Sequence, residues 1–214
     1  MEIILKGKKA VIFDMDGVLV DSEKFWKRAE YVVFTALGVD VTDEWSSYTQ
    51  SMTTEEVTRF WYEKFPWKEI TFEEAEQRVV EEVSRLISSE DCIISGIKVF
   101  IEELRSKDLK IGLATNAPEK LIPVVLKVTD TAHLFDAVSS VEFEAKGKPH
   151  PAVYLTTARK LNVEPGECLA IEDSVSGMQA ARNAGMTVVA FTNGNENLTF
   201  ETAHFVITDF RNSL

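Results

Sequence analysis

An apolar run that stops abruptly at a pair of acids constrains this chain more than any other feature. Val11-Ile-Phe-Asp-Met-Asp-Gly-Val-Leu-Val-Asp-Ser22 reads as a short buried strand that ends in Asp14, then Asp16, then Gly17. Side chains two residues apart on extended backbone point to the same side, so the two carboxylates are expected together. Clustered carboxylates repel one another unless a cation or a shared proton offsets their charge. The pattern predicts a metal site at a strand end more readily than a packing role.

Similar apolar runs recur at Lys110–Ala114, Ala137–Ser139, Cys168–Ile171, Thr187–Ala190 and Phe205–Ile207. Between them lie residues at helical spacing: Ile97, Phe100, Ile101 and Leu104, then Leu121, Val124, Val125 and Val128. Pro118 and Pro151 suit first turns of helices, and Gly185 suits a helix C-terminus. Strands that are apolar throughout and alternate with helices predict an α/β fold built on a doubly wound parallel sheet. Ligands of such sheets bind at the carboxyl ends of the strands, where Asp14 is expected.

The segment 22–91 breaks this rhythm. Its apolar positions are helical: Trp26, Ala29, Val33, Ala36 and Leu37, then Val57, Phe60 and Trp61, then Phe72, Ala75, Val79, Val83 and Leu86. Thr53 with Glu56 and Thr71 with Glu74 have the spacing of capping boxes. The segment carries a net charge of −8 and all four tryptophans, a composition shift that marks a helical insertion after the first strand. The expected domains are therefore an α/β catalytic core over 1–21 and 92–214 and a small helical domain over 22–91. Trp26, Trp45, Trp61 and Trp67 read chiefly as packing within it, with Trp26, near its start, the exception that could face a substrate.

Further chemistry-bearing residues stand at the ends of later strands. Thr115-Asn116 follows Lys110–Ala114 and offers a hydroxyl and a backbone N–H to a phosphate oxygen. Lys148 sits in Gly147-Lys-Pro-His-Pro151, a frame whose prolines would fix a cation in place. Glu172-Asp173-Ser174 follows Cys168–Ile171, with Gly177 one turn on. Each has a plainer reading alone: a turn for Thr115-Asn116, a surface cation for Lys148, a helix start for the acids, and a calcium-like loop for Asp14-x-Asp16-Gly. Their common placement after strands argues for one site. Carboxylates from two strand ends suit Mg²⁺, and a lysine with a hydroxyl adds the anion pocket that phosphoryl transfer needs.

The chain has 214 residues and a formal net charge of −12, which disfavours nucleic acid and anionic membranes as partners. A small phosphorylated metabolite remains compatible, because local cations and a metal can outweigh the global field. Cys92 and Cys168 show neither disulfide nor metal spacing, and no run approaches the length of a membrane span or signal peptide. A cytoplasmic monomer is the expectation. His133, His150 and His204 receive no role.

With these residues in hand, the sequence resembles the haloacid dehalogenase-like superfamily of phosphohydrolases over essentially its whole length. Asp14-Met-Asp-Gly-Val-Leu-Val-Asp-Ser22, Ala114-Thr-Asn-Ala117, Gly147-Lys-Pro-His-Pro151 and Ile171-Glu-Asp-Ser-Val-Ser-Gly177 resemble its four motifs in order. The insertion is similar to the cap of the beta-phosphoglucomutase-like branch. Phe25-Trp-Lys-Arg-Ala-Glu30 and Phe60-Trp-Tyr-Glu-Lys-Phe-Pro-Trp67 most resemble the bacterial 2-deoxyglucose-6-phosphate and hexitol phosphate phosphatases.

The resemblance implies roles. Asp14 is the expected nucleophile and Asp16 the acid and base. Mg²⁺ is expected on Asp14, the Asp16 backbone carbonyl and Asp173, with Glu172 direct or through water. Thr115, Asn116 and Lys148 are expected to hold the phosphoryl oxygens. Retention of Asp16 favours phosphate esters over haloacids, which have no leaving alkoxide to protonate. Beta-phosphoglucomutases carry a cap histidine where Trp26 falls, and a cap arginine missing from Ser51-Met-Thr-Thr-Glu55. The expected activity is therefore a Mg²⁺-dependent phosphomonoesterase acting on sugar or sugar-alcohol phosphates, with cap closure excluding bulk water. A hexose-phosphate mutase and a non-catalytic phosphate-ligand binding protein are the alternatives.

Overall fold

The computed structural model describes residues 2–42, 48–49, 52–195 and 201–212. Trp45 and Ser51, both part of expectations above, lie outside the described residues. The described α-helices include α1 (Glu2–Leu5), α2 (Glu23–Ala36), α3 (Thr54–Lys64), α4 (Phe72–Ser89), α5 (Ile97–Arg105), α6 (Ile122–Val128), α7 (Ala152–Leu161) and α8 (Val175–Asn183). The chain divides into two compact units, Met1–Asp21 with Ile93–Leu214, and Ser22–Cys92. Val20 and Ile93 pair as an antiparallel bridge, and the Ile94 N–H donates to Leu19 O at 3.0 Å, so the first unit is interrupted at one place in its backbone.

Strands β1 (Ala10–Phe13), β2 (Lys110–Thr115), β3 (Ala137–Ser140), β4 (Cys168–Glu172), β5 (Thr187–Phe191) and β6 (Phe205–Ile207) form one parallel sheet. Its order, β3-β2-β1-β4-β5-β6, is the doubly wound arrangement. The physical cause is the one read from sequence: β1 is buried along its whole length, so both faces must be covered. Ala10 and Ile12 join a cluster with Val153, Tyr154, Ala158 and Leu161 of α7 and Met178 and Ala181 of α8. Phe13, on the opposite face, meets Phe100 of α5 edge to face at 6.2 Å between ring centres. Each strand lies where the sequence put it, but β2, β3, β4 and β5 each run one residue further, to Thr115, Ser140, Glu172 and Phe191.

In the helical unit both capping boxes form. Thr53 accepts from Glu56 N–H and Glu56 accepts from Thr53 N–H, and Thr71 and Glu74 do the same, each box contributing about 1 kcal/mol. The buried stripe of α2 differs from the expected one. It comprises Phe25, Ala29, Val33 and Phe34, whereas Trp26 is half-buried and Ala36 exposed. The stripe is shifted around the helix because Phe25 at i and Ala29 and Val33 at i+4 and i+8 form a continuous ridge. Trp61 and Trp67 are buried and flank Phe34, with ring centres 6.0 and 5.8 Å from it.

Glu30 of α2 is a charge within this unit. Burial pushes its carboxyl up to about 7, and the Thr49 hydroxyl at 3.3 Å and the charge of Lys27 pull it back only part of the way. Below its ordinary value of 4.5 the carboxyl is protonated in folded and unfolded chains alike. As pH rises from there to about 7, the unfolded chain releases the proton while the folded one keeps it, so stability falls across that window and then levels off. Glu30→Gln should flatten this dependence and stabilise the unit at pH 8 by up to about 3 kcal/mol. Urea unfolding at pH 5 and 8 followed by tryptophan fluorescence reads this unit selectively, since all four tryptophans lie in it. Equal pH dependence in the variant would refute the assignment.

Candidate active site

Phe13 is in register with Leu113 on one side and Ile171 on the other. The carboxyl ends of β2, β1 and β4 therefore come level, and they carry Thr115, Asp14 and Glu172 on adjacent strands. β1 and β4 also flank the point where the strand order reverses, the place in such sheets where a crevice opens.

β1 ends at Phe13, before the first acid. The Asp14 N–H still donates to Ile171 O at 3.0 Å, after which the chain turns, with Leu19 N–H on Met15 O at 2.9 Å and Gly17 N–H on Val20 O at 2.7 Å. Asp16 thus stands in a turn, and strand alternation is not what brings it to Asp14. Its carboxylate is nevertheless near enough to add to the repulsion felt by Asp14 and Asp173. Gly17 permits the turn: its φ is +78°, and a Cβ there would lie 1.8 Å from Asp173 Oδ2.

Lys148 joins the strand ends. Its Nζ lies 2.6 Å from Asp14 Oδ1, 2.6 Å from Glu172 Oε1 and 3.0 Å from Ala114 O. With its side chain only 3% exposed it is no surface cation. An ammonium has three donors, and these acceptors engage all three. Its offering to a bound anion is therefore charge rather than a spare hydrogen bond. Thr115 Oγ1 accepts the Ala117 N–H at 2.9 Å, which leaves the hydroxyl hydrogen to donate. Asn116 does something unforeseen: its side-chain Oδ1 accepts the Lys148 N–H at 2.9 Å and ties the loop after β2 to the lysine loop.

Asp14, Glu172 and Asp173 each offer a carboxylate oxygen within 4.8 Å of the other two. Burial first, then repulsion from Glu172, pushes Asp14 up to about 8 despite Lys148. Burial with repulsion from Asp14 and Glu172 likewise pushes Asp173 well above the usual range. At Lys148 burial favours the neutral amine, but Asp14 and Glu172 outweigh it and push the pKa up. The cluster is short of positive charge, and its donors are hard oxygens. That combination fits a divalent cation such as Mg²⁺.

Glu172 is wholly buried and fully engaged. Lys148 and the Tyr154 hydroxyl share Oε1, each at 2.6 Å, and Ser174 Oγ donates to Oε2 at 3.1 Å. Gly177 leaves room for it, since a Cβ there would fall 2.0 Å from Glu172 Oε1. Tyr154 is the residue that sequence reasoning missed. Burial, then the charge of Glu172, pushes its hydroxyl pKa well up, so it stays a donor. Its signal was a tyrosine on the apolar face of α7, among Val153, Ala158 and Leu161, where a buried hydroxyl must find a partner. Trp26 belongs to the helical unit, on α2. No described helix is long and apolar enough to cross a membrane.

A family model for haloacid dehalogenase-like hydrolases matches residues 8–185. Hexitol phosphatase B of Escherichia coli is 38% identical over 179 residues, covering 83% of this chain and 80% of its own. A phosphorylated carbohydrates phosphatase of Thermotoga maritima is 33% identical, covering 83% and 82%. Among solved structures, beta-phosphoglucomutase from Clostridium difficile superposes with a TM-score of 0.82 at 26% identity, over 95% of this chain and 92% of its own.

Proposed function

The chain belongs to the haloacid dehalogenase-like hydrolase family, whose relatives named above include phosphatases, and on that premise we propose that it is a Mg²⁺-dependent phosphomonoesterase of sugar or sugar-alcohol phosphates. The observation that carries this reading is the buried Lys148 bridging Asp14 and Glu172, beside Asp173 and the free hydroxyl hydrogen of Thr115. A nucleophile held against a cation at a strand end is what displacement at phosphorus requires.

In this reading the Asp14 carboxylate attacks phosphorus, and the bond to the leaving oxygen breaks as the aspartyl-phosphate forms. Asp16 gives that oxygen its proton, then takes one from the water that attacks the intermediate, releasing phosphate and restoring Asp14. The charge of Lys148 offsets repulsion between Asp14 and the phosphate dianion, while the Thr115 hydroxyl and the Asn116 N–H orient the phosphoryl oxygens. Asp14, Asp173 and the Asp16 carbonyl would hold Mg²⁺, with Glu172 behind them. When bound, the ion neutralises charge developing on the phosphoryl oxygens. The unit Ser22–Cys92 is the candidate cap that restricts substrates to small molecules.

Phosphate release from a panel of phosphorylated metabolites tests the proposal. Hexose, deoxyhexose and hexitol phosphates should exceed phosphopeptides in kcat/KM by at least about 100-fold. Chelation should abolish the activity and Mg²⁺ restore it. Phosphopeptides turned over as well as hexose phosphates, or activity indifferent to chelator, would sink it. Similarity to a beta-phosphoglucomutase supports a mutase as second reading. Trp26, in the place expected for a mutase histidine, favours water as the acceptor. A ³¹P NMR spectrum with the phosphate moved and none released would decide for the mutase. No hydrolysis across the panel or of p-nitrophenyl phosphate, with no mutase product, would decide for passive binding.

A further inference from the structure

Tyr154 takes no part in the chemistry above, yet its hydroxyl is sealed into the middle of the cluster. It is fully buried on α7, 2.6 Å from the same Glu172 oxygen that Lys148 approaches. Its ring lies under the lysine, with Lys148 Nζ 5.1 Å from the ring centre. A carboxylate only accepts, so the phenol donates. Oε1 thus takes two donors and Oε2 takes the Ser174 hydroxyl. Glu172 is gripped at both oxygens, and Gly177 leaves it the space to extend.

The consequence passes through Lys148, whose three donors go to Glu172, Asp14 and Ala114 O. A shift of Glu172 changes where the ammonium sits and therefore how Asp14 is held. It also changes the carboxylate set formed by Asp14, Glu172 and Asp173. We propose that Tyr154 is a positioning residue whose hydroxyl, acting through Glu172, fixes Lys148 against Asp14 and shapes the carboxylates that receive the metal ion. Groups standing behind metal ligands fix their orientation and alter affinity when removed. The proposal rests on the phosphatase reading for its kinetic consequence, though not for the lysine geometry.

Tyr154→Phe keeps the ring and removes only the donor. Calorimetric titration of the metal-free protein with Mg²⁺ should show about tenfold weaker binding. With substrate, kcat should fall about tenfold while KM stays within about twofold, the pattern of a loss felt in the transition state and not in substrate binding. In a Glu172→Ala background, which removes both oxygens that Tyr154 and Lys148 engage, the same change should add less than about twofold, because a residue acting through another has nothing left to act on. NMR of the lysine ammonium groups should show faster exchange of the Lys148 protons with water.

Wild-type Mg²⁺ affinity and kcat in Tyr154→Phe would overturn the proposal. So would a full additive effect on top of Glu172→Ala, or a lowered melting temperature as the only change. Wild-type protein that neither binds Mg²⁺ nor cleaves a phosphate ester would defeat the phosphatase reading instead. In that case the ammonium exchange still decides: unchanged exchange in Tyr154→Phe overturns the positioning role.

Discussion

Asp14→Asn should lower kcat by at least about 10⁴-fold, equivalent to roughly 5.5 kcal/mol of lost transition-state stabilisation. Asparagine matches the side chain in shape but cannot form the aspartyl-phosphate. The fold should not suffer, and in the absence of metal the melting temperature should stay equal or rise. Asp14 is buried against Glu172 and near Asp16, and burial with repulsion pushes its carboxyl up to about 8, so the ionised form is costly to the folded state. Lys148 retains Glu172 and the Ala114 carbonyl as partners. Initial-rate kinetics and thermal unfolding in chelator check the two halves separately. Near-normal turnover in Asp14→Asn would refute the nucleophile assignment outright.

Lys148→Met should damage both activity and stability, because it removes the cation from a cluster of three carboxylates. Both ion pairs are at 2.6 Å and nearly inaccessible to water, with Glu172 fully buried. Removing one partner of a buried pair typically costs about 3–5 kcal/mol, since the partner charge stays buried and unpaired. Protonation of Asp14 or binding of a divalent ion can relieve part of that cost. The loss should therefore be largest in chelator at high pH and smaller once Mg²⁺ is added. Turnover should fall by at least about 100-fold, as expected when charge stabilisation of a phosphoryl group is withdrawn. Urea unfolding with and without Mg²⁺, beside initial rates, measures both effects. A variant as stable as wild type in chelator would show that the cation is dispensable to the cluster.

These two residues also show how far the sequence can be read. Asp14 was legible because a buried strand leaves a hydrophobic run, and an acid at its end has no reason to be there unless chemistry wants it. Lys148 was legible only by company, for a lone lysine reads as a surface charge. An exposure of only 3% is what excludes that reading, and it depends on strands far apart in sequence meeting in the sheet. Strand alternation predicts Asp16 beside Asp14, whereas a turn permitted by Gly17 carries it. The local pattern brings the two acids close together but leaves out the turn that does so.

The helical segment shows the same division. Its capping boxes were readable because both partners lie within one helical turn. The buried face of α2 was not, because Phe25, Trp26, Ala29, Val33, Phe34 and Ala36 offer more than one apolar stripe, and packing against Trp61 and Trp67 selects among them.

By itself the sequence determined the alternation of strands and helices, the sheet class, the capped helices and the chemistry-bearing residues at strand ends. Those follow from periodicity, backbone preference and side-chain type, which act over a few residues. Tertiary structure alone decided that Lys148 pairs with both Asp14 and Glu172, that Asn116 anchors the lysine loop by its side chain, and that Tyr154 holds Glu172 from behind. Such contacts join residues distant in sequence. Their worth comes from exclusion of water, which exists only once β1, β2, β4 and α7 have packed together.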